Sequence, residues 1–306
     1  MIIITAPVHP VMTETFEKKG LSYQHHPSIS YAELFDMIAE AKGIVVSTHI
    51  PIDRKMIDKA PKLEWIARVG SGMEHIDVAY ASGKNIRCIS SPEGNSTAVA
   101  EHALGLLLNL LRNINKSSKE VALGIWQREQ NRGMELSGKT VGIIGYGNTG
   151  SAFAGLLASF DVSVLAYDKY RTGFDGQHVK EATLEEIISQ ADVISFHLPL
   201  TAETKHFANT AFFSGIKKKP VLLNTSRGKV IDTTALQTAL EKGFISAAGL
   251  DVLENEDLTS YNQDQKDQLE RLCAMKNVII TPHIAGYSHE APFKMSRILL
   301  QKLGMI

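Results

Sequence analysis

Three glycines near the middle of the chain restrict its fold more than any other feature. Gly145, Gly147 and Gly150 follow a short apolar run, residues 141–144, which is typical of a buried parallel strand. A helix is expected directly after them, over residues 151–160. A strand, a tight turn and a helix in this order predict the first βα unit of a doubly wound sheet.

The spacing of the same glycines also predicts a ligand. Gly145 permits the tight turn, Gly147 has no side chain to block a pyrophosphate, and Gly150 lets the helix lie close to the strand. The exposed N–H groups at the start of the helix favour phosphates. We therefore interpret the turn as a binding site for an adenine dinucleotide.

An acidic residue follows the next predicted strand. Asp168 comes directly after residues 162–167, at the spacing expected for a carboxylate that binds the hydroxyls of the adenosine ribose. It would repel a 2′-phosphate, which favours NAD over NADP, although the nearby Lys169 and Arg171 weaken that preference. Glycines at this spacing also occur in ordinary turns, and the neighbouring strands, helix and acid make the motif specific.

Apolar runs alternate with helical stretches along the chain, which predicts an α/β protein with mainly parallel sheets. The larger part holds the candidate strands 141–144, 162–167, 193–196, 221–224, 247–252 and 278–281. The N-terminal part holds the candidate strands 2–5, 43–47, 65–69 and 86–89. We expect two doubly wound parallel-sheet domains: a Rossmann dinucleotide-binding domain, residues 97–286, inserted in a smaller substrate domain made of residues 1–96 and 287–306.

Two further helices are expected at the junctions of these domains. Residues 97–111 are rich in leucine and alanine around most of the helix, which indicates burial between domains or at a subunit contact. Glu101 and His102 stand out near its start, and a solvated or capping pair is the alternative to a functional role. Residues 289–306 read as an amphipathic helix that returns to the first domain.

Composition excludes several classes of function. A net charge of −1 gives no electrostatic reason to expect nucleic acid or an anionic membrane as a partner. No apolar run approaches the ~20 residues of a membrane span. The two cysteines, Cys88 and Cys273, show neither metal-ligand spacing nor a disulfide framework, so we expect no metal site and a reducing, cytoplasmic environment.

Three polar residues follow successive predicted strands and could form a reaction centre. A nicotinamide enzyme needs a cation for an anionic substrate, a proton donor and a group that holds the donor. Arg227, Glu256 and His283 lie just beyond the strands 221–224, 247–252 and 278–281, at the edge where ligands bind in such sheets. Each alone has an ordinary interpretation: a surface cation, part of a solvated acidic stretch, or one of 11 histidines. Their common placement at the ends of successive strands favours a catalytic role for the three residues.

Several separate motifs, spread over nearly the whole chain, resemble those of the D-isomer-specific 2-hydroxyacid dehydrogenase family. They comprise a substrate loop, the start of an interdomain helix, the glycine turn, a connection along the cofactor, an arginine motif and a histidine motif. In this sequence the motifs occupy residues 70–77, 94–102, 145–150, 197–204, 224–232 and 281–286.

The resemblance implies roles for the reacting groups. Arg227 would bind the substrate carboxylate and polarise the 2-oxo group. His283 would donate a proton in reduction and accept one in oxidation, and Glu256 would pair with it so that a proton is available near neutrality. The main-chain N–H groups of Ser71 and Gly72 would bind the other carboxylate oxygen.

The resemblance also implies a set of contacts to NAD and an assembly. Asp251 would orient the nicotinamide amide. Relatives in the family are mostly dimers joined through the segment that corresponds to residues 97–134, so we expect a homodimer. The residues expected to contact the cofactor are Gly145, Tyr146, Gly147, Asn148, Thr149, Gly150, Asp168, His197, Pro199, Thr204, Thr225, Asp251 and Gly286.

The chain departs from the family pattern near the expected glutamate. Asp257 replaces a proline that would stiffen the turn, so the position of Glu256 is the least secure of the three. Leu253 replaces the usual phenylalanine, and Glu74 replaces an aspartate in the substrate loop.

The expected substrate is a small D-2-hydroxy acid or 2-oxo acid, such as hydroxypyruvate or glyoxylate. Phosphoglycerate is an alternative because residues 68–72 resemble the substrate loop of its dehydrogenases, but residues 45–49 lack the arginines that bind phosphate in some of them. Formate dehydrogenases carry glutamine where this chain has Glu256, which argues against formate. An enzyme that oxidises phosphite, or an NAD-sensing scaffold without turnover, is a further alternative.

Overall fold

Two parallel β-sheets, one in each of two units of the chain, form the framework of the fold. The structure is a computed structural model that describes residues 1–306. The first unit comprises Met1–Ser96 and Tyr287–Ile306, and the second comprises Thr97–Gly286. The prediction of an α/β fold with two doubly wound parallel sheets is confirmed.

Helices and strands alternate through both units. The strands are β1 (Ile2–Ile4), β2 (Tyr23–His25), β3 (Gly43–Val46), β4 (Trp65–Arg68), β5 (Arg87–Ser90), β6 (Thr140–Ile144), β7 (Ser163–Tyr167), β8 (Lys180–Glu181), β9 (Val193–Phe196), β10 (Val221–Asn224), β11 (Ala247–Leu250) and β12 (Val278–Ile280). The helices are α1 (Pro10–Lys18), α2 (Tyr31–Met37), α3 (Arg54–Asp58), α4 (Val78–Gly83), α5 (Ser96–Arg112), α6 (Ile114–Ala122), α7 (Asn148–Leu157), α8 (Leu184–Gln190), α9 (Thr210–Gly215), α10 (Thr233–Glu241), α11 (Gln263–Ala274) and α12 (Ala291–Lys302).

The sheet of the first unit has the order β2-β1-β3-β4-β5, and helices cover both of its faces. Successive side chains of a strand point to opposite faces. In β1, Ile2 and Ile4 pack in a cluster with Phe16 of α1 and Leu299 of α12. Ile3 packs in another cluster, which includes residues of α2, α3 and α4. Burial on both faces explains why β1 and β3 are continuous apolar runs.

The second unit has a seven-stranded sheet of order β12-β11-β10-β9-β6-β7-β8. One face packs against α5 and α7, where Leu107 and Phe153 are fully buried. The other face packs against the helices from α8 to α11, where Ile187 and Leu272 are fully buried. Each such side chain contributes about 1.5–3 kcal/mol to folding, so both helical layers are tightly bound to the sheet.

The register of the second sheet aligns the ends of its strands. Ile144 pairs with Tyr167 and Phe196, and Asn224 pairs with Phe196 and Leu250, which in turn pairs with Ile280. β7 lies on one side of β6 and β9 on the other, so the strand order reverses at β6. Sheets of this kind bind ligands in the crevice at such a reversal. The residues that follow the aligned strand ends are Gly145, Asp168, His197, Thr225, Asp251 and Thr281.

Several element boundaries differ from the sequence prediction. Helix α7 covers Asn148–Leu157, three residues earlier than expected, because its first turn starts within the glycine motif. The expected strand 247–252 ends at Leu250, where the chain turns to bury Asp251. β2, β8 and α6 were not predicted.

Helix α5 covers Ser96–Arg112, close to the expected range. Its buried side chains, which include Ala103, Leu107 and Leu111, pack in the core of the second unit. None of the helices combines the length and the apolar character that crossing a bilayer requires.

Candidate functional site

The glycine turn after β6 has the geometry that the spacing predicts. Gly145 has a φ of +96°, and a Cβ there would collide with the carbonyl oxygen of His197. A Cβ at Gly150 would collide with the carbonyl oxygen of Gly145. Around Gly147 a Cβ would meet nothing within 4 Å. Two glycines therefore allow the turn to close, and the third leaves open space outside it.

The start of α7 offers donors to an anion placed in that space. Gly147 is the N-cap, and no side chain caps the helix. The N–H groups of its first turn, at Asn148, Thr149 and Gly150, have no partner within the helix, and the helix dipole adds about half a positive charge. Thr225, after β10, has a buried hydroxyl with no hydrogen-bond partner. This donor set fits a dinucleotide with its pyrophosphate on α7.

Asp168 connects the end of β7 to the glycine turn. One carboxylate oxygen accepts from the N–H of Tyr146 at 2.8 Å, and the other accepts from the N–H groups of Tyr170 at 2.9 Å and Arg171 at 3.1 Å. A carboxylate has about four acceptor positions, so one remains for a ribose hydroxyl. The guanidinium of Arg171 donates to the carbonyl oxygen of Tyr146 at 2.6 Å, which places a cation beside the same turn.

His197 follows β9 and is buried beside α7. Its Nε2 lies 2.9 Å from the hydroxyl of Ser195, and its Nδ1 lies 3.2 Å from the hydroxyl of Thr149. Burial lowers the pKa of His197 to about 4, so the ring is neutral at neutral pH. The ring connects the end of β9 to the first turn of α7.

A short loop beyond β9 carries the remaining expected cofactor contacts on this side. The hydroxyl of Thr204 donates to the carbonyl oxygen of Pro199 at 2.6 Å, and the N–H of Thr201 donates to the Thr204 hydroxyl at 2.8 Å. The Nζ of Lys169 lies 2.7 Å from Glu203. The loop is thus closed on itself and bound to the segment after Asp168.

A turn after β10 presents Arg227. The side-chain amide of Asn224 donates to the carbonyl oxygen of Arg227 at 3.0 Å and accepts from the N–H and the hydroxyl of Ser226 at 3.1 and 2.8 Å. The Nη1 of Arg227 donates to the carbonyl oxygen of Ser226 at 2.7 Å. A Cβ at Gly228 would collide with the carbonyl oxygen of Leu253, so this turn packs closely against the segment after β11.

The structure brings His283 and Glu256 together. The Nδ1 of His283 lies 2.8 Å from Oε2 of Glu256, and the two side chains are 45% and 44% exposed. Because a carboxylate only accepts, Nδ1 carries a hydrogen and Nε2 is the free position of the ring. His283 has a φ of +56°, a left-handed conformation that costs about 1–2 kcal/mol for such a residue.

Asp251 holds the loop on which His283 lies. Its buried carboxylate accepts from the hydroxyl of Thr281 at 2.6 Å and from the N–H groups of Ile284 at 3.0 Å and Ala285 at 2.7 Å. The N–H of His283 donates to the carbonyl oxygen of Asp251 at 2.7 Å. The role expected of Asp251 toward the nicotinamide amide stays a prediction, and its role in the loop was not anticipated.

Hydrogen bonds fix the turn at Asp257, where the family pattern has a proline. The carboxylate of Asp257 accepts from the N–H of Thr259 at 3.1 Å and from its hydroxyl at 2.5 Å, which lowers the pKa of the Asp257 carboxyl. The N–H of Asp257 donates to Asn255 at 3.1 Å, and the hydroxyl of Tyr261 donates to the Asn255 carbonyl oxygen at 2.5 Å. These bonds hold the segment that carries Glu256.

A second histidine–carboxylate pair lies near this segment. The Nε2 of His206 is 2.7 Å from Oε2 of Glu254, and Oε1 of Glu254 accepts from the N–H of Thr233 at 2.7 Å. The interpretation of the acidic stretch as a solvated face is therefore wrong for Glu254. Sequence reasoning missed this pair because no spacing signal connects residues so far apart in the chain.

The expected substrate loop lies in the first unit, directly after the carboxyl end of β4. The hydroxyl of Ser71 donates to Asn95 at 3.0 Å, and the N–H of Gly70 donates to the hydroxyl of Ser91 at 3.0 Å. Gly72 of this loop is partly buried, and so is Gly286 in the second unit.

Comparison with known proteins gives consistent results. A family model described as D-isomer specific 2-hydroxyacid dehydrogenase, NAD binding domain, matches residues 104–285. The chain is 31% identical to a D-3-phosphoglycerate dehydrogenase of Archaeoglobus fulgidus over 99% of its own length but only 56% of that relative. It is 34% identical to a hydroxypyruvate reductase of Thermotoga maritima, over 89% of this chain and 86% of the relative.

A solved structure is similar over the whole chain. It is the D-lactate dehydrogenase of Aquifex aeolicus, complexed with NAD and lactic acid. The two chains are 29% identical with a TM-score of 0.83, and the match covers 99% of this chain and 94% of the other.

Proposed function

Since this chain belongs to the D-isomer-specific 2-hydroxyacid dehydrogenase family, we propose that it interconverts a small D-2-hydroxy acid and the corresponding 2-oxo acid with NAD. The observation that carries the proposal is the 2.8 Å contact between His283 and Glu256. It lies beyond the strand ends whose register also aligns the glycine turn. Bound NAD supplies or accepts the hydride.

His283 is the proposed proton carrier. In reduction, the 2-oxo oxygen takes a proton from Nε2 of His283 as C2 gains the hydride. Nδ1–H continues to donate to the carboxylate of Glu256, which stabilises the protonated ring before transfer and orients the neutral ring after it. In oxidation, the neutral ring takes the hydroxyl proton back through the same nitrogen.

Arg227 and the loop of the first unit are the proposed substrate-binding groups. The planar guanidinium of Arg227 matches the geometry of a carboxylate and places positive charge beside the 2-oxo oxygen. The turn built by Asn224 supports this role because it fixes the main chain at Arg227. We propose that the N–H groups of Ser71 and Gly72 bind the second carboxylate oxygen.

Asp168 is the proposed determinant of cofactor choice. Its remaining acceptor position suits a ribose hydroxyl, and its charge disfavours a 2′-phosphate. The position of Arg171 beside the turn reduces that discrimination. The other proposed contacts to NAD are those at residues 145–150 and at His197, Pro199, Thr204, Thr225, Asp251 and Gly286, and the buried unpaired hydroxyl of Thr225 supports one of them.

We propose hydroxypyruvate or glyoxylate as the type of 2-oxo acid used. Relatives of this chain include a hydroxypyruvate reductase, a glyoxylate reductase and a D-3-phosphoglycerate dehydrogenase. The segment 45–49 carries no arginine for a phosphate, which favours the unphosphorylated acids. Phosphoglycerate is the second candidate.

We also propose that the chain forms a homodimer and acts in the cytoplasm. Helix α6 and the segment after it expose large apolar side chains, which we call the α6 patch: Ile114, Val121, Leu123, Ile125, Trp126 and Met134. Contiguous exposed apolar side chains mark interaction surfaces. The free thiols of Cys88 and Cys273 favour a reducing compartment.

Initial rates with NADH and NADPH against a panel of 2-oxo acids test the proposed activity. The 2-oxo acids are hydroxypyruvate, glyoxylate, pyruvate and 3-phosphohydroxypyruvate. Formate and phosphite are assayed separately as oxidisable anions, with the oxidised cofactors NAD⁺ and NADP⁺ in place of the reduced ones. We expect NADH-dependent reduction of an unphosphorylated acid, and His283→Asn should lower kcat by about 10²–10⁴-fold.

Binding of NADH, measured by its fluorescence, should persist in His283→Asn. The matched control is His178→Asn, because His178 is an exposed histidine of the same unit. A His283→Asn protein with the turnover of the control would remove His283 from the chemistry. A wild type that binds NADH but reduces no acid would favour a sensing scaffold.

A further inference from the structure

We propose that His102 is a positioning residue for His283, acting through Thr281 and Asp251. The inference rests on the proposed function, in which His283 carries the proton. His102 stood out in the sequence, with a solvated or capping pair as the ordinary interpretation. The structure connects it instead to the loop after β12.

The packing of α5 on the sheet explains how His102 reaches this loop. A Cβ at Gly249 of β11 would lie 3.2 Å from the Cβ of Leu106, so α5 crosses that strand closely. His102 lies one turn before Leu106 on the same face of the helix, displaced by about 6 Å along its axis. Its ring thereby meets the side chain of Asp251, which follows the end of β11.

The hydrogen bonds define the direction of the contact. The hydroxyl of Thr281 lies 2.6 Å from Oδ1 of Asp251 and 3.0 Å from Nε2 of His102. The carboxylate only accepts, so Thr281 gives it its single hydrogen and must accept from His102. Nε2 of His102 therefore carries a hydrogen, and it also lies 3.4 Å from Oδ1 of Asp251.

Asp251 transmits this contact to the histidine loop. Its side chain is fully buried, and its two oxygens accept from the N–H groups of Ile284 and Ala285. Its carbonyl oxygen accepts from the N–H of His283, which has a left-handed φ. Bonds to the carboxylate and to the carbonyl oxygen of this one aspartate thus hold His283 in an unfavourable backbone conformation.

The fixed conformation is what places the ring against Glu256. Without the N–H of His102, the Thr281 hydroxyl loses the donor that fixes its position, and the buried carboxylate to which it donates has reason to rotate toward other partners. Rotation would release the N–H groups of Ile284 and Ala285 and allow His283 to relax out of the left-handed region. The 2.8 Å contact between His283 and Glu256 would then be present in only a fraction of the molecules.

Two substitutions at one position separate the hydrogen bond from packing. His102→Phe keeps a ring and removes the donor, whereas His102→Gln places an amide N–H near the position of Nε2. The control is Glu101→Gln, because Glu101 is exposed on the adjacent position of α5. Each protein is assayed with the best acid of the panel and by amide hydrogen exchange of residues 281–286.

We expect His102→Phe to lower kcat by about tenfold or more while KM stays within about twofold, because a displaced catalytic group affects the transition state. The amides of Ile284 and Ala285 should exchange faster. His102→Gln should restore both measurements toward the wild type, and Glu101→Gln should change neither.

A kcat of His102→Phe within about twofold of the wild type would overturn the proposal, as would equal losses in the phenylalanine and glutamine proteins. Failure of the proposed function is distinguishable from these results. A wild type without turnover would reject the dehydrogenase, while the hydrogen exchange of Ile284 and Ala285 would still decide whether His102 holds the loop.

Discussion

The imidazole of His197 is buried at the end of β9 and titrates far below its ordinary range. Its pKa is about 4 in the folded chain against 6.5 as the ordinary value. Between about pH 6.5 and about pH 4, His197 binds a proton in the unfolded chain but not in the folded chain. The contribution of the neutral ring to the free energy of unfolding is therefore complete above about pH 6.5 and falls as the pH drops toward 4. We expect a loss of about 2 kcal/mol between about pH 7 and about pH 5.

Urea unfolding of the wild type and of His197→Gln at both pH values measures this contribution. The glutamine does not titrate, so the free energy of unfolding should depend less on pH in the variant by that amount. His178→Gln provides the control, since His178 lies on the surface of the same unit. Equal pH dependence in the wild type and in His197→Gln would show that His197 is not a buried neutral histidine.

At the scale of the element, hydrogen bonds stabilise the turn after Glu256, where the family pattern has the rigid ring of a proline. Asp257 caps the segment through Thr259, and Asn255 bonds to the N–H of Asp257. We expect Asp257→Ala to cost about 1 kcal/mol of stability, as the loss of a similar cap does. It should also lower kcat severalfold, since Glu256 loses its fixed position beside His283.

Asp257→Asn is the matched variant, because its side-chain oxygen still accepts from Thr259. Initial rates and urea unfolding of both proteins provide the measurement. If the alanine protein keeps the kcat of the asparagine protein, the turn is held by its other bonds and Asp257 has no part in orienting Glu256.

The elements that sequence reasoning found and missed differ in how they are buried. The strands β6, β9 and β10 are short apolar runs with helices on both faces, and that pattern is readable. The edge strand β2 reads Tyr-Gln-His and is mostly exposed, and β8 is only Lys-Glu, so neither has an apolar run. Helix α6 is nine residues long and has no buried residue, so it contributes no core positions by which to recognise it.

The candidate site also contains residues that the sequence predicts and contacts that it does not. Arg227, Glu256 and His283 were predicted because each follows a strand, and strand ends share one edge of a sheet. The hydrogen bonds of His102 to Thr281 and of His206 to Glu254 join residues far apart in the chain. They depend on how helices and loops pack, and a single sequence contains no pattern for that.

At the scale of the whole molecule, the α6 patch is the proposed contact between subunits. Leu123 and Trp126 are 77% and 78% exposed, and clusters of exposed apolar side chains mark interaction surfaces. If two copies of the chain bury the patch, charge introduced there should separate them. We expect the double variant Leu123→Lys, Trp126→Lys to sediment as a monomer and the wild type as a dimer.

Tyr170→Lys is the control for this experiment, because Tyr170 is equally exposed, at 78%, outside the α6 patch. It should leave the dimer intact, so that any dissociation in the double variant reflects the patch and not added charge. Sedimentation velocity over a range of concentrations gives the result. A dimer that survives both lysines would place the subunit contact elsewhere, and a monomeric wild type would reject the homodimer.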